Sequence, residues 1–402
     1  MRPNSRNLPS GWRFLKIGEI VDFSYGKGLP QNKRIEGNVP VVGSNGIIGY
    51  HNKALVKAPG IVVGRKGSIG EVIFLAKDFW PIDTTYFITL KKNERIDWKW
   101  LFYMLKKSNL KRFTLADVVP GLKREFALSL KIPLPPLPEQ RKIAEILSTV
   151  DEAIEVTDKE IEKAERLKRG LMQELLTRGI GHTKFKKTEV GTIPEEWKLM
   201  KLGDCIGIRG SKKLSIKDKK IPFIPMELIP YNSVYVQYEL REPEKIKSFT
   251  YCEAGDLLLA KITPSLENGK QGIVPQDIPN SFALATTEVF SLFPRKEKIL
   301  NLFLFYLLKH PKFRNVLITS MIGTTGRQRA SKEVLLSLFV PLPPLSEQKR
   351  IAEVLSSVDD FIESLRARRE KLVKLKQGLM EDLLTGKRRV KVNAESSRST
   401  SG

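Results

Sequence analysis

The chain has 402 residues, 41% of them hydrophobic, with a net charge of +24 and a pI near 9.8. That length allows two or three domains, each able to bury a core; no apolar run is long enough for a membrane span, and the start, MRPNSRNLPSGW, shows no secretory signal core. Two cysteines, Cys205 and Cys252, support neither a disulfide framework nor a structural zinc site and fit a reducing cytoplasm, while the positive excess attracts polyanions, nucleic acid ahead of an anionic membrane surface.

Residues 1–138 read as short strands and turns with some helix. Gly60-Ile61-Val62-Val63-Gly64 and Tyr86-Phe87-Ile88-Thr89-Leu90 have the composition of buried strands, and Trp98 to Lys107 that of a helix with an aromatic face. Gly43-Ser44-Asn45-Gly46 and Arg65-Lys66-Gly67-Ser68-Ile69-Gly70 are loops that combine exposed backbone with Arg, Lys, Ser and Asn. Such side chains contact phosphates and base edges, although a single loop of this kind is more often a plain turn. Lys27, Ser44, Asn45, Arg65, Lys66, Ser68, Lys123 and Arg124 are the candidate polyanion contacts of this segment.

The Pro-rich run PLPPL (Pro133 to Leu137) interrupts any preceding element and cannot itself be helical. Residues 139–179 then carry apolar side chains at Ile143, Leu147, Val150, Ile154, Ile161, Ala164, Leu171 and Leu175, an alternating four–three ladder broken at Thr157 and Lys168. A 3.5-residue period sustained this long indicates a coiled-coil helix, with Pro138 suited to its first turn.

Residues 180–346 again read as strands and loops. Asp256 to Ala260 and Val289 to Leu292 are expected strands, and Leu300 to His310 an expected helix. The candidate contacts are Lys212, Lys213, Lys261, Thr263, Arg327, Gln328 and Arg329, the last three in the loop that begins at Gly323. Residues 347–387 form a second ladder, Ile351, Leu355, Val358, Ile362, Leu365, Leu372, Leu379 and Leu383, broken at Arg369 and Lys376, with Ser346 as its expected N-cap. Residues 388–402 read as a basic, disordered tail.

The second half repeats the first. PLPPLPEQRKIAEILSTVDEAIE (from Pro133) and PLPPLSEQKRIAEVLSSVDDFIE (from Pro341) are offset by 208 residues, and the match continues without a gap into GLMQELLT and GLMEDLLT. A weaker echo, LPSGWRFLKIGEI against IPEEWKLMKLGDC, opens each half at an offset of 185. Leu101-Phe102-Tyr103 against Leu304-Phe305-Tyr306 is a fainter landmark. Each helix exposes one apolar stripe; pairing of the two buries both, and packing of each on its neighbouring domain is the alternative. Charge divides unevenly: residues 139–179 hold 8 basic and 10 acidic side chains and residues 347–387 hold 9 and 8, whereas residues 1–138 hold 23 and 10 and residues 180–346 hold 25 and 16. The lobes are therefore expected to meet phosphate and the helices to act as structure.

The paired PLPPLxEQ motif, the GLMxxLLT helix end, and Gly181-His182-Thr183-Lys184-Phe185-Lys186-Lys187 running toward Ile193-Pro194-Glu195-Glu196-Trp197 resemble the specificity subunit of Type I restriction–modification systems, over the whole chain and in order. The resemblance implies an α+β protein: two mixed α/β target recognition domains separated by two long helices in an antiparallel coiled coil, related by a pseudo-twofold repeat. It implies a DNA-binding subunit without catalysis that recognises an asymmetric bipartite site. Two methyltransferase subunits and restriction subunits would be its partners, with S-adenosylmethionine bound by the methyltransferase. The recognition domains are too divergent for base-contacting residues to be carried across.

Sequence motifs for other chemistry are missing. The Pro-Pro pairs, Pro135-Pro136 and Pro343-Pro344, are flanked by Leu rather than set in an Asn/Asp-Pro-Pro-Tyr motif, and Gly269-Lys270-Gln271 fails as a P-loop. His51, His182 and His310 lack metal-ligand spacing. No metal or cofactor of the chain's own is expected. A self-sufficient DNA-modifying enzyme, or a coiled-coil adaptor whose basic lobes bind RNA or an acidic protein, are the competing readings.

Overall fold

The structure, a computed structural model, describes residues 8–91, 95–113, 121–210, 212, 219–324 and 326–392. Lys213, and residues 393–402 of the expected tail 388–402, lie outside the described residues. The chain divides into two compact units. One takes the described residues up to Asp158 together with the segment from Ala367, and the other is Lys159–Arg366. In the tail's described part Arg389 pairs with Glu139 and Val390 packs against the first unit's core.

Two long helices, Leu137–Leu175 and Leu345–Thr385, each give one half to each unit. Both start two residues earlier than the Glu139 and Glu347 of the sequence reading. The last leucine of PLPPL is not followed by a clash, because proline fits the first helical turn, where its missing N–H has no partner to lose. Ser346 is thus inside the first turn and is not the N-cap. The first prolines of the motif also differ from expectation. Pro133 and Pro341 lie in strands, Lys131–Leu134 and Phe339–Leu342, which pair antiparallel with Arg13–Lys16 and Lys198–Lys201. Each is a two-stranded ribbon, where every strand is an edge and a missing donor is tolerated.

In the first unit a four-stranded antiparallel sheet runs in the order Val21–Tyr25, Thr85–Leu90, Gly60–Gly64, Val72–Leu75. A second sheet places Val39–Gly43 between Gly46–His51 and Trp80–Pro81. Gly60–Gly64 is buried along its whole length, as its uninterrupted apolar run requires. The helix Trp98–Lys107, capped by the Asp97 carboxylate accepting from the Trp100 N–H, turns Trp100, Leu101 and Leu105 into the core. That core also contains Ile143 and Leu147 of one long helix and Leu383 and Leu384 of the other.

In the second unit the matching sheet runs Ile206–Ile208, Val289–Pro294, Leu257–Ala260, Gln271–Ile273, all antiparallel. Its companion is larger, with Glu239–Arg241, Ile221–Ile224, Phe282–Ala285 and Thr250–Glu253 in that order. The helix Asn301–Lys309 buries Phe303 through Leu308 beside Ile351, Leu355 and Leu176.

Within the second unit Ala164 packs on Ile362 and Leu365, with Ile161 and Val358 at the edge of the cluster. Two ion pairs, Glu165–Arg366 (2.6 Å) and Lys168–Asp359, run across the same seam. Within the first unit Asp151 meets Lys376 at 2.5 Å and Asp158 meets Arg369. In each unit residue numbers rise along one helix as they fall along the other, so the halves pair antiparallel. The apolar ladder is shared between two neighbours: Ile161, Ile362 and Leu365 face the partner helix, whereas Ile143, Leu147, Ile351 and Leu355 enter lobe cores, where Leu171, Leu175 and Leu379 also pack. Val150 is nearly buried, and Ile154 and Leu372 are half-buried. Thr157, a break in the ladder, is fully buried and satisfies its hydroxyl on the Ala153 carbonyl. Among the described residues no helix is long and apolar enough to cross a membrane.

Candidate nucleic-acid interface

The fully buried central strand of each lobe ends in a cation held in the same backbone frame. Arg65 follows Gly60–Gly64; its N–H donates to the Thr84 carbonyl (2.9 Å) and its carbonyl accepts from the Leu122 N–H (3.0 Å). Lys261 follows Leu257–Ala260; its N–H donates to the Glu288 carbonyl (3.0 Å) and its carbonyl accepts from the Ala330 N–H (2.8 Å). Leu122 and Ala330 are separated by the 208 residues that separate the two helix motifs. Each cation also lies over a ring, the Arg65 guanidinium 5.4 Å from the Tyr25 centroid and the Lys261 ammonium 5.3 Å from that of Phe290. Burial pushes the Lys261 pKa down, against the pull of Glu288.

Around Arg65 the first lobe gathers an open crevice of about 410 Å³ lined by Asn45, Gly67, Ser68, Ile69, Glu71 and Lys111. The loop returns on itself at Gly64, where a Cβ would lie 2.1 Å from the Ser68 carbonyl oxygen, and Gly67 supplies a φ of +73°. The Ser68 hydroxyl donates to Asn45 Oδ1 at 3.4 Å, and Ser44 lies against Gly67. Lys27 joins the same sheet end, its N–H donating to the Pro81 carbonyl, while Arg65 Nε and Nη2 donate to the Asp83 carbonyl. Lys66 is exposed and anchored by its N–H on the Thr84 carbonyl, and Lys123 follows Leu122. Seven of the candidates of this lobe, Lys27, Ser44, Asn45, Arg65, Lys66, Ser68 and Lys123, thus come from four separate segments to one rim. Arg124 differs. It donates twice to the Asp22 carboxylate at 2.6 Å, which raises its pKa further and answers its charge within the fold.

In the second lobe the Thr263 N–H donates to the Gln328 carbonyl, and Arg329 bridges to both Ile262 and Ile322. Lys261, Thr263, Gln328 and exposed Arg327 are therefore grouped. Arg329 makes a two-pronged contact with Glu288 (2.9 and 2.7 Å), which holds that carboxyl below its usual range. Lys212 lies elsewhere: it donates to the Tyr251 hydroxyl at 3.0 Å, beside Glu253. An exposed Asn–Ser crevice and cations on rings can donate to base edges and phosphate oxygens.

Sequence reasoning did not find how the lobes are attached. Glu139 accepts from Trp12 Nε1 at 3.1 Å, and Glu347 from Trp197 Nε1 at 2.9 Å. Gln140 accepts from the Asp97 N–H and donates to the Pro135 carbonyl, both 2.9 Å; Gln348 accepts from the Leu300 N–H and donates to the Pro343 carbonyl at the same distances. Tyr103 donates to Asp151 and Tyr306 to Asp359, each at 2.8 Å, and each Asp pairs with a Lys of the opposite long helix. The Glu-Gln of PLPPLxEQ and the tryptophan of each echo were visible as repeated letters. That both recur in each half was the one signal available; their contact depends on the fold.

A family model described as the Type I restriction modification DNA specificity domain matches residues 9–166 and 194–374. The chain is 32% identical over 405 residues to the Type I restriction enzyme MjaVIII specificity subunit of Methanocaldococcus jannaschii, covering 96% of this chain and 94% of that one. Among solved structures it resembles the S subunit of a Type I restriction–modification system from M. genitalium, with a TM-score of 0.63 at 18% identity over 96% of this chain and 98% of the other. It also resembles a chain from work on complex assembly and conformational transition of the type I R-M system, with a TM-score of 0.55 at 16% identity over 94% and 98%.

Proposed function

Since the chain belongs to the Type I restriction–modification DNA specificity family, we propose that its two lobes read the two halves of one asymmetric, split DNA site. The observation that carries this reading is the matched frame of Arg65 and Lys261 at the ends of equivalent buried strands, with different side chains around each. Equal frames give both lobes one way to approach a duplex. Unequal loops give each its own bases.

In this reading residues 1–138 and 180–346 are the target recognition domains. Residues 139–179 and 347–387 are the spacers that set the distance between half-sites, and residues 388–402 are an appended basic tail. The chain performs no catalysis. Two methyltransferase subunits carrying S-adenosylmethionine dock on it, restriction subunits join them, and the assembly works in the cytoplasm. Residue insertions between Glu139 and Thr177 then change the spacer and leave the bases read unaltered.

The test is methylome sequencing of a host expressing this chain with its methyltransferase partner. One new split motif carrying modified adenine is expected. Arg65→Ala should relax or weaken one half-site and Lys261→Ala the other, each contact contributing about 1–3 kcal/mol of discrimination. A methylome with no new motif, or a single substitution that alters both halves alike, contradicts the proposal.

A further inference from the structure

The second unit holds a cavity of about 420 Å³ where its two helix halves meet the end of Asn301–Lys309. Four cations, Lys168, Arg169, Lys309 and Arg366, line it against two carboxylates, Glu165 and Asp359. Both carboxylates are already engaged. Asp359 pairs with Lys168 and accepts from the Tyr306 hydroxyl at 2.8 Å, and Glu165 accepts from Arg366 at 2.6 Å. Lys309 donates to the Tyr231 carbonyl, and among the described residues neither Lys309 nor Arg169 forms an ion pair.

The internal repeat supplies a control. Shifted by 208 residues, Lys168 and Asp359 correspond to Lys376 and Asp151, and that pair is retained in the first unit. Arg366, Arg169 and Glu165 correspond to Asp158, Gln377 and Val373. Lys309 is itself matched by Lys106, three residues after the corresponding tyrosine, so the Lys–Asp–Tyr contact and this lysine are common to both copies, whereas Arg169 and Arg366, the surplus of positive charge, belong to the second alone. Burial, reinforced by Lys168 and Arg314, pushes the Lys309 ammonium down to about 7, a cost that an anion in the cavity relieves.

We propose that this cavity is a binding site for a single phosphate group. A carboxylate brings one charge to two unanswered cations. A phosphate brings up to two, with several acceptor oxygens for the Lys309 ammonium and the planar donors of Arg169. The site is independent of the base-reading rims and of the DNA-recognition reading, since free phosphate is sufficient to occupy it.

The experiment is calorimetric titration of the full chain with inorganic phosphate at constant ionic strength. One saturable site is expected, with binding at least tenfold weaker in the Lys309→Met, Arg169→Gln double variant. Arg169→Gln alone installs the first copy's residue at an exposed position, so its fold is retained, and it should weaken binding severalfold. Absence of saturable binding in the unsubstituted chain, or equal affinity in the double variant, overturns the proposal. Repeating the titration with saturating duplex DNA identifies the source of the phosphate. Loss of the phosphate signal assigns the site to the DNA backbone, and an unchanged signal assigns it to a free phosphate.

Discussion

The junction between lobe and long helices is built twice, and the copies keep three contacts while exchanging a fourth. Glutamate to tryptophan, glutamine to a helix-start N–H, and tyrosine to aspartate recur with the same atoms. The exchanged contact is Lys107–Glu381 in the first unit, an ion pair with a half-exposed carboxylate. At the position 208 residues earlier than Glu381, the second unit has Gln173, which bonds His310 Nε2 at 3.0 Å, and His310 is 2% exposed. A charged pair is cheap where water reaches it; a neutral side chain suits the buried His310 position, where desolvating an ion costs more than its partner returns. The exchanged contact is the one in which a half-buried lysine of the first copy is replaced by a buried histidine of the second.

The largest test of this comparison is a charge in either core. Leu147→Asp and Leu355→Asp each bury a carboxylate at a fully enclosed position and are expected to cost on the order of 4 kcal/mol or more. Hydrogen exchange should show Leu147→Asp loosening the first unit selectively and Leu355→Asp the second. Identical protection loss in both units from either change would mean that the halves do not fold as separate packing units.

Next in size is the glutamine. Gln140→Leu and Gln348→Leu each leave a helix-start N–H and a proline carbonyl without their partner, at about 1–3 kcal/mol. Two bonds are shared by the copies, and Gln348 Nε2 also donates to the Lys298 carbonyl at 2.9 Å, so denaturant titrations should give a loss at Gln348 at least as large as that at Gln140. A loss in one copy alone would show that the shared geometry is not shared energetically.

The smallest effect is on pH, and it separates the copies. Lys107, then Lys387, hold the Glu381 carboxyl down at about 2. A depressed acid stabilises fully above the ordinary value of 4.5 and loses that contribution as pH falls toward about 2. Burial lowers His310 below 6.5, so its unfolded form takes up protons first, and stability of the second unit falls as pH drops below 6.5. Hydrogen exchange between pH 7 and 5 should therefore weaken the second unit before the first. His310→Asn should remove that slope, and Glu381→Gln should converge with the unsubstituted chain near pH 2.

Fold and site were legible to different depths. The buried strands Gly60–Gly64 and Leu257–Ala260 and the helices were readable because an apolar run or ladder reports burial through local spacing alone. The helices start at Leu137 and Leu345, two residues before the Glu139 and Glu347 bounds; Pro138 was readable as a first-turn residue, whereas Ser346, with cap chemistry, lies inside the first turn of the second. Among candidate contacts, Arg65 and Asn45 looked no different from Arg124 or Lys212, yet Asp22 occupies Arg124 and Tyr251 with Glu253 holds Lys212. Family membership was readable from the duplicated motif, which spans both halves.

By itself the sequence determined the repeat, the two long helices and the concentration of positive charge on the lobes, because periodicity, duplication and charge are properties of order along the chain. Tertiary structure alone decided which cations are answered by carboxylates, that Arg65 and Lys261 occupy one frame, and that Glu139 and Glu347 close on tryptophans more than a hundred residues away. Those facts depend on strand pairing and burial between distant segments, which fix the dielectric and the neighbours of a side chain and leave no local pattern to read.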